Sequence, residues 1–262
     1  MTEHDETPSL ARAMDYLLGG RANNPADREA AERACAAWPA GDLKQELRSA
    51  REALGHMVRQ LVGEAGVRQL LHIGAGLPTM HNTHHVAQQM DPDTRVVYVG
   101  RDPGVVEHAR QLLRQEPRSP TVYVRGEVDD PDRILRDASA ILDLTRPVGV
   151  LLFGALHFVD SRQDPAGLVN SLVDAMPSGS WVAFGHLATH DREDLMDAAL
   201  ERMAPGWQER VVRRSRAEAT ALLEETLELV PPGVVALPEW RAEPTADPPG
   251  AAAMWCAVAR KP

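Results

Sequence analysis

The chain has 262 residues, a net charge of −10 and 44% hydrophobic residues, the arithmetic of one globular domain with room for a small appendage. No run comes near the ~18 apolar residues of a membrane helix, and two cysteines, Cys35 and Cys256, are too few for a disulfide scaffold or a four-cysteine zinc site and suit a reducing compartment. The acidic balance (pI 5.5) argues against unassisted binding to nucleic acid or to an anionic membrane. The acidic opening Met1-Thr-Glu-His-Asp-Glu is unlike a signal peptide, so a cytoplasmic location is expected.

From Pro8, Leu10, Ala13, Met14, Leu17 and Leu18 recur at helical spacing until Gly19-Gly20 stops the helix. Asn24-Pro25 starts a second helix, with Asn as N-cap, Pro at the first helical position and Asp27 and Glu29 in the first turn, where the helix dipole favours acids. It runs to Trp38-Pro39. A third, about Asp42 to Glu64, carries Leu43, Leu47, Ala50, Leu54, Met57, Val58 and Leu61 on one stripe. Residues 1–65 thus read as an N-terminal helical cap or lid.

After Gly66, strands and helices alternate. Strands are expected at Val67–Ile73, Arg95–Gly100, Thr121–Val128, Val148–Val159 and Ser180–Leu187, with a closing pair at Val234–Leu237 and Met254–Arg260. Asn82, Asp102-Pro103, Asp130-Pro131 and Asp164-Pro165 open the intervening helices, and two more are expected at Asp191–Met203 and Ser215–Leu227. Strands separated by helices pair in parallel through right-handed crossovers, so residues 66–262 are expected to form a doubly wound, Rossmann-like α/β sheet of seven strands. The final pair, joined through the proline-rich stretch from Pro238 to Pro249, is expected to make an antiparallel edge.

In such a sheet ligands bind beyond the carboxyl ends of the strands, near the switch point. The first strand ends in His72-Ile73-Gly74-Ala75-Gly76, where glycines allow close backbone approach and the next helix offers free N–H groups. An ordinary tight turn is the alternative reading. Thr79 stands where the dinucleotide fingerprint requires its third glycine, which argues against NAD.

The stretches Met14-Asp-Tyr-Leu-Leu-Gly-Gly-Arg-Ala-Asn-Asn, Ala26-Asp-Arg-Glu-Ala-Ala, His72-Ile-Gly-Ala-Gly-Leu-Pro-Thr and Asn82-Thr-His resemble the actinobacterial S-adenosylmethionine (SAM) methyltransferase-like family. Val96-Val-Tyr-Val99 with Asp102-Pro103, Leu156-His-Phe-Val159 and the ending Ala257-Val-Ala-Arg-Lys-Pro262 extend the resemblance along almost the whole chain. It implies a class I methyltransferase fold with a C-terminal antiparallel strand and a SAM site over Gly74, Ala75, Gly76 and Leu77. The family usually places an acid before its Ile-Gly-x-Gly, where this chain has His72, and an aspartate for the ribose hydroxyls at the end of the second strand, where it has Gly100. A lost charge-assisted hydrogen bond weakens binding by ~1.5–3 kcal/mol, so Gly100→Asp is expected to tighten SAM binding unless Arg101 or Asp102 already compensates.

Glu127, with Val128 after the third strand, is placed like the acid that meets the adenine amino group in this fold. Phe153-Gly154 and His157-Phe158 lie where methyl acceptors sit, and His157 is a candidate general base; a core histidine satisfied by a backbone carbonyl is the alternative. Tyr16, Gly19, Gly20, Arg21 and Asn23 are expected to close over the methionyl end, with Tyr16 a second candidate base. His81, His84 and His85 offer metal-ligand chemistry, with His81 and His84 on one helix face, but no third ligand is evident and no metal site is expected. Met176, Met196 and Met203 read as core filler, and Arg213-Arg214 with Arg216 as a solvated helix entry.

The function these residues point to is methyl transfer from SAM to a small-molecule substrate, with no nucleic-acid or membrane partner. Two other readings stay open: SAM consumed without methyl transfer, its aminobutyryl chain closing into a small ring with release of methylthioadenosine, or a non-catalytic SAM-binding protein.

Overall fold

The computed structural model of the chain describes residues 8–38, 43–78, 82–116, 119–189, 197–198, 201, 211–240 and 254–262. Helix α1 (Leu10–Leu17) and helix α2 (Pro25–Ala37) are joined through one carboxylate. Asn24 caps α2 by accepting the Asp27 N–H, while the Asp27 carboxylate accepts the Asn24 N–H, a reciprocal capping box. Asp27 is fully buried and also accepts from the Ser9 N–H at 2.8 Å and from Arg12 Nε at 2.7 Å, tying the start of α1 to the start of α2.

Helix α3 (Leu43–Arg59) continues into a single wider turn, Gln60–Glu64. Its first turn supplies Leu43 to a small cluster with Ala13, Leu17, Ala31 and Ala34. Its later residues Leu54, Met57, Val58 and Leu61 pack instead into the core on one face of the sheet. One helix therefore serves two hydrophobic clusters.

The strands are β1 (Gln69–Ile73), β2 (Arg95–Gly100), β3 (Thr121–Arg125), β4 (Gly149–Phe153), β5 (Trp181–Leu187), β6 (Glu228–Leu229), β7 (Val235–Ala236) and β8 (Met254–Arg260). Helices α4 (Thr83–Met90), α5 (Pro103–Leu113), α6 (Pro131–Ala138) and α7 (Pro165–Asp174) make the crossovers, and α8 (Arg216–Ala221) precedes β6. The sheet order is β3-β2-β1-β4-β5-β8-β6, with β7 also on β8. The first five strands are parallel and β8 runs antiparallel to β5 from Trp181↔Arg260 to Leu187↔Met254. The doubly wound expectation and the antiparallel C-terminal strand are both present. The middle strands are buried on both faces, β1 and nearly all of β4 along their whole length. Gly149 sits where β1 and the wider turn after α3 crowd it: a Cβ there would meet Leu70 and Leu61 methyls at 2.7 and 2.8 Å.

Four expectations need correction. The strand expected at 148–159 ends at Phe153; Gly154 turns the chain with φ +91°, and Leu156–Phe158 form a 3-10 turn. An unbroken apolar run reports burial and leaves the backbone conformation open. The helix expected over 215–227 is confined to Arg216–Ala221. The antiparallel edge has an additional member, the two-residue β6, too short to leave a periodic signal. Arg214, read as solvated, is 3% exposed. Most of the helix expected at 191–203 and of the proline-rich stretch lies outside the described residues.

Replacing Asp27 by Ala removes the acceptor of two backbone N–H groups and of Arg12, so a loss of roughly 2–4 kcal/mol is expected. Urea unfolding followed by circular dichroism checks it; an unchanged midpoint would show that α1 and α2 are held by their apolar cluster alone.

Candidate functional site

The chain proceeds outward from β1 through β2 to β3, then returns to β4 and β5 on the other side of β1, so the switch point lies between the carboxyl ends of β1 and β4. There Gly74 (φ +75°) lies against the turn after β4: a Cβ would stand 3.0 Å from Ala155 Cβ and 3.2 Å from its Cα. The N–H groups of Gly74 and Ala75 both donate to the Val99 carbonyl. Gly76 (φ +64°) differs, since no atom of the described residues lies within 4 Å of where its Cβ would be. Leu77 turns back into the core at 5% exposure. The loop is thus anchored by its first two residues and open to a ligand at the third.

Beside it, Tyr123 from β3 leans across the end of β2. Its hydroxyl donates to the Gly76 carbonyl at 2.9 Å, and its ring stacks on Tyr98 at 5.7 Å. A side chain at Gly100 would run into that phenol: Tyr123 Cε1 is 3.0 Å, and its hydroxyl nearer still, from the Cβ position. Gly100 is therefore a packing requirement, and the place of an acid at the second strand end is taken by a tyrosine hydroxyl. Sequence reading missed Tyr123; the glycine one strand over was its only trace. Asp102 spends Oδ1 on the Gly104 and Val105 N–H groups, capping α5. Arg101 is exposed and lies over the Phe158 ring at 5.9 Å, spanning from the β2 end to the β4 turn. Glu127 is exposed and Val128 half-buried in the loop after β3, where Val128 packs against the core.

The β4 turn is built around a buried cation. Arg214 donates from Nη1 to the Leu156 carbonyl (3.0 Å) and to His186 Nε2 (2.6 Å), and from Nη2 to the Val159 carbonyl (2.9 Å). His186 donates from Nδ1 to the Leu187 carbonyl at 2.8 Å, so its ring is neutral, and burial lowers its pKa to about 4. His157 stands between these anchored carbonyls, edge-on to His186 (5.8 Å) and to Phe158 (4.4 Å). Burial first, then His186 and the cations Arg214 and Arg213, hold it well below the usual histidine range. Its Nδ1 is buried without a hydrogen-bond partner among the described residues. Phe153 lies flat over Gly185, its ring 2.5 Å from where a Cβ would be.

The N-terminal segment is a knot of short contacts. Asp15, 2% exposed, accepts from Asn23 Nδ2 at 2.8 Å, and that amide also donates to the Gly20 carbonyl. Gly20 is against the Asp15 carboxylate, which leaves no room for a side chain. Arg21 is exposed; the adjacent Ala22 and Ala11 pack against the core on the α3 face of the sheet. Tyr16 donates to Glu32 at 2.7 Å, and this hydrogen bond raises its pKa, so the phenol keeps its proton.

His72, in place of the usual acid, is buried against Thr83 (Nδ1 to Oγ1, 3.0 Å); burial, then the charge of Arg51, lowers it to about 3. The third metal-ligand type absent from the local sequence comes from the segment after α5: Glu116 meets His84 and His85. His81 lies outside the described residues. A cleft of about 290 Å3 walled by Arg68, Arg146, Trp181 and Arg260 lies at the opposite, amino-terminal end of the strands, away from the switch point.

A sequence model of the S-adenosyl methyltransferase family matches residues 3–262. No curated protein matches the chain. A solved DUF574-family protein from Streptomyces avermitilis is 37% identical, covering 98% of this chain and 99% of its own, with a TM-score of 0.85. A candidate methyltransferase from Thermobifida fusca is 35% identical, covering 98% and 96%, with a TM-score of 0.84. The N-methyltransferase NodS from Bradyrhizobium japonicum, in complex with S-adenosyl-L-homocysteine, is 14% identical with a TM-score of 0.52 over 96% of this chain and 99% of its own, a likeness of fold.

Two outcomes follow from this packing. Gly100→Asp is expected to lower stability and to give no gain in ligand affinity, because the Tyr123 phenol must move; a tighter-binding, equally stable variant in calorimetry and thermal melting would contradict it. His72, His157 and His186 are neutral when folded. Above pH ~6.5 they are neutral unfolded as well; below it the unfolded chain takes up protons that the folded chain refuses, at up to ~1.4 kcal/mol per pH unit per histidine. Urea midpoints should therefore fall between pH 6.5 and 5, and less steeply in His72→Gln. A flat profile would show that these rings protonate in place.

Proposed function

The chain belongs to the S-adenosyl methyltransferase family, and on that premise we propose that it transfers the methyl group of SAM to a small metabolite whose reacting atom sits at the Phe153–Phe158 turn. The observation that carries this reading is the open space at Gly76, at the switch point, where no atom of the described residues lies within 4 Å of the Cβ position. That space fits a cofactor held along residues 74–77. Gly76 and Leu77 would line it, Asp102 and the Tyr123 hydroxyl would address the ribose, and Glu127 with Val128 the adenine. Gly20, Arg21 and Asn23 would meet the methionyl end, and Phe153 would floor the acceptor side. Arg101, over Phe158, would stand at the entrance.

When bound, SAM supplies an electrophilic methyl carbon on its sulfonium. The chain's own residues then have to orient an acceptor in line at ~3–3.5 Å and keep water out. His157, held far below the usual histidine range, is a weak base. It suits accepting a hydrogen bond from a group that is already nucleophilic at neutral pH, such as an amine, a thiolate or a stabilised phenolate, over deprotonating an aliphatic alcohol. Tyr16 stays protonated on Glu32 and serves to hold α1 on α2, so it takes no part as a base. The helical lid ends, on this reading, before Leu43, since the later turns of α3 belong to the sheet's own core.

Calorimetry with SAM and S-adenosylhomocysteine, then mass spectrometry of incubations with a panel of small amines, thiols and phenols, tests the proposal. Binding of both nucleotides and accumulation of S-adenosylhomocysteine with an acceptor are expected. Gly76→Val, which fills the open space and strains a left-handed backbone, should abolish binding while the variant still unfolds cooperatively. Enzyme-dependent methylthioadenosine from SAM alone would overturn methyl transfer in favour of ring closure on the aminobutyryl chain. Binding with neither product across the panel would overturn catalysis.

A further inference from the structure

His84 and His85 lie in the first turn of α4, and Glu116 lies three residues beyond the end of α5. Their side chains nevertheless converge. His85 Nε2 is 3.0 Å from both Glu116 oxygens and His84 Nε2 is 3.2 Å from Oε2, with the three ligand atoms all within 4.8 Å of one another. We propose that His84, His85 and Glu116 form a binding site for a divalent cation of the zinc class, outside the methyl-transfer site.

The distances suit that cation. Two ligand atoms bonded to tetrahedral zinc at about 2.0–2.2 Å lie about 3.3 Å apart, so nitrogen–oxygen separations of 3.0–3.2 Å need only a small outward movement to admit the ion. The donor set of two imidazoles and one carboxylate selects zinc, cobalt or nickel over magnesium and calcium, which take oxygen cages. Charge agrees as well: metal binding takes imidazole in its neutral form, and the carboxylate then leaves the ligand set net negative.

The buried ring is also aimed from behind, as metal-bound histidines are. His84 is fully buried, and its Nδ1 lies 2.8 Å from the Tyr98 hydroxyl, whose oxygen also accepts the His84 backbone N–H at 3.0 Å. With Nε2 given to a cation, the ring proton sits on Nδ1 and is donated to that oxygen. The Asn82 amide nitrogen lies 3.5 Å from His85 Nδ1; being a donor, that amide has to turn its oxygen to the Nδ1–H of a metal-bound His85. Both rings turn Nε2 toward Glu116, and His84 has its Nδ1 already engaged. His85 and Glu116 keep side-chain exposures of 45% and 39%, which gives the ion a path in and leaves its remaining position for water.

Such an ion would tie the segment entering α4, which follows the Gly74–Gly76 loop, to the chain leaving α5. Because only the folded chain assembles the three ligands, binding should raise the melting temperature.

The test uses untagged full-length protein stripped with a chelator, titrated with zinc by calorimetry and with cobalt by visible absorption. One equivalent per chain is expected, with the intense d–d bands of tetrahedral cobalt and a higher melting temperature. Glu116→Gln and His85→Ala should each weaken zinc binding beyond the ~10–100-fold typical of losing an outer partner, and Tyr98→Phe within that range. SAM binding, read separately, should survive the Glu116 and His85 substitutions. No saturable binding, or zinc binding unchanged in both ligand variants, would overturn the site.

Discussion

Taking a guanidinium out of water costs several kcal/mol unless its donors are matched by fixed acceptors, and Arg214 is buried with three of them. The Leu156 and Val159 carbonyls and His186 Nε2 receive its N–H groups. Its own backbone closes the arrangement: the Arg214 N–H donates to the Leu187 carbonyl and its carbonyl accepts from Trp255 Nε1. One residue thus fastens the turn after β4 to the ends of β5 and β8. Without those hydrogen bonds the Val159 carbonyl would lose its guanidinium donor and the Leu156 carbonyl would be left with the Val159 N–H. The buried cation fixes the turn that carries His157 and adds to the depression of its pKa, which burial dominates, and by donating to His186 Nε2 it keeps that ring neutral.

The other wall of the crevice obeys a steric constraint. Tyr98 and Tyr123 are cross-strand partners that stack, and the sheet makes room for them by leaving Gly100 without a side chain. Two large rings, and a hydroxyl bonded to the Gly76 carbonyl, fill the space that a side chain at Gly100 would need. The phenol's neutral hydrogen bond fixes the loop by direct contact. Tyr98 also belongs to a buried polar chain, in which Thr83 links His72 to Tyr98 and Tyr98 leads on to His84 and Glu116. Each member has a partner, which is the condition for such a chain to be tolerated in a core.

Helix α3 reconciles the two parts of the molecule. Its beginning closes the small cluster with α1 and α2, its end joins the core on one face of the sheet, and Leu61 in the wider turn that follows packs against Gly149. The Asp15–Gly20–Asn23 knot is held near the sheet by Ala22, which packs on the same face. The segment carrying Arg21 is therefore attached at both ends by packing.

Helix starts were legible in the amino-acid sequence because capping is local: Asn24-Pro25, Asp102-Pro103, Asp130-Pro131 and Asp164-Pro165 each open a helix with the side chain accepting from the first turn. The alternation of strands and helices, and with it the parallel sheet and the Gly74–Gly76 loop at its switch point, was legible for the same reason, since periodicity is set by neighbours in the chain. What only the tertiary structure decided depends on residues far apart. The end of β4 at Phe153 is set by Gly154 and by Arg214, some sixty positions away, and apolar composition carries no trace of either. Tyr123 in the place of an acid, Glu116 beside two histidines thirty residues earlier, and a buried Arg214 that reads as a surface charge are all meetings across the sheet. A sequence states which groups exist; the distance between them is fixed only when the strands take their order.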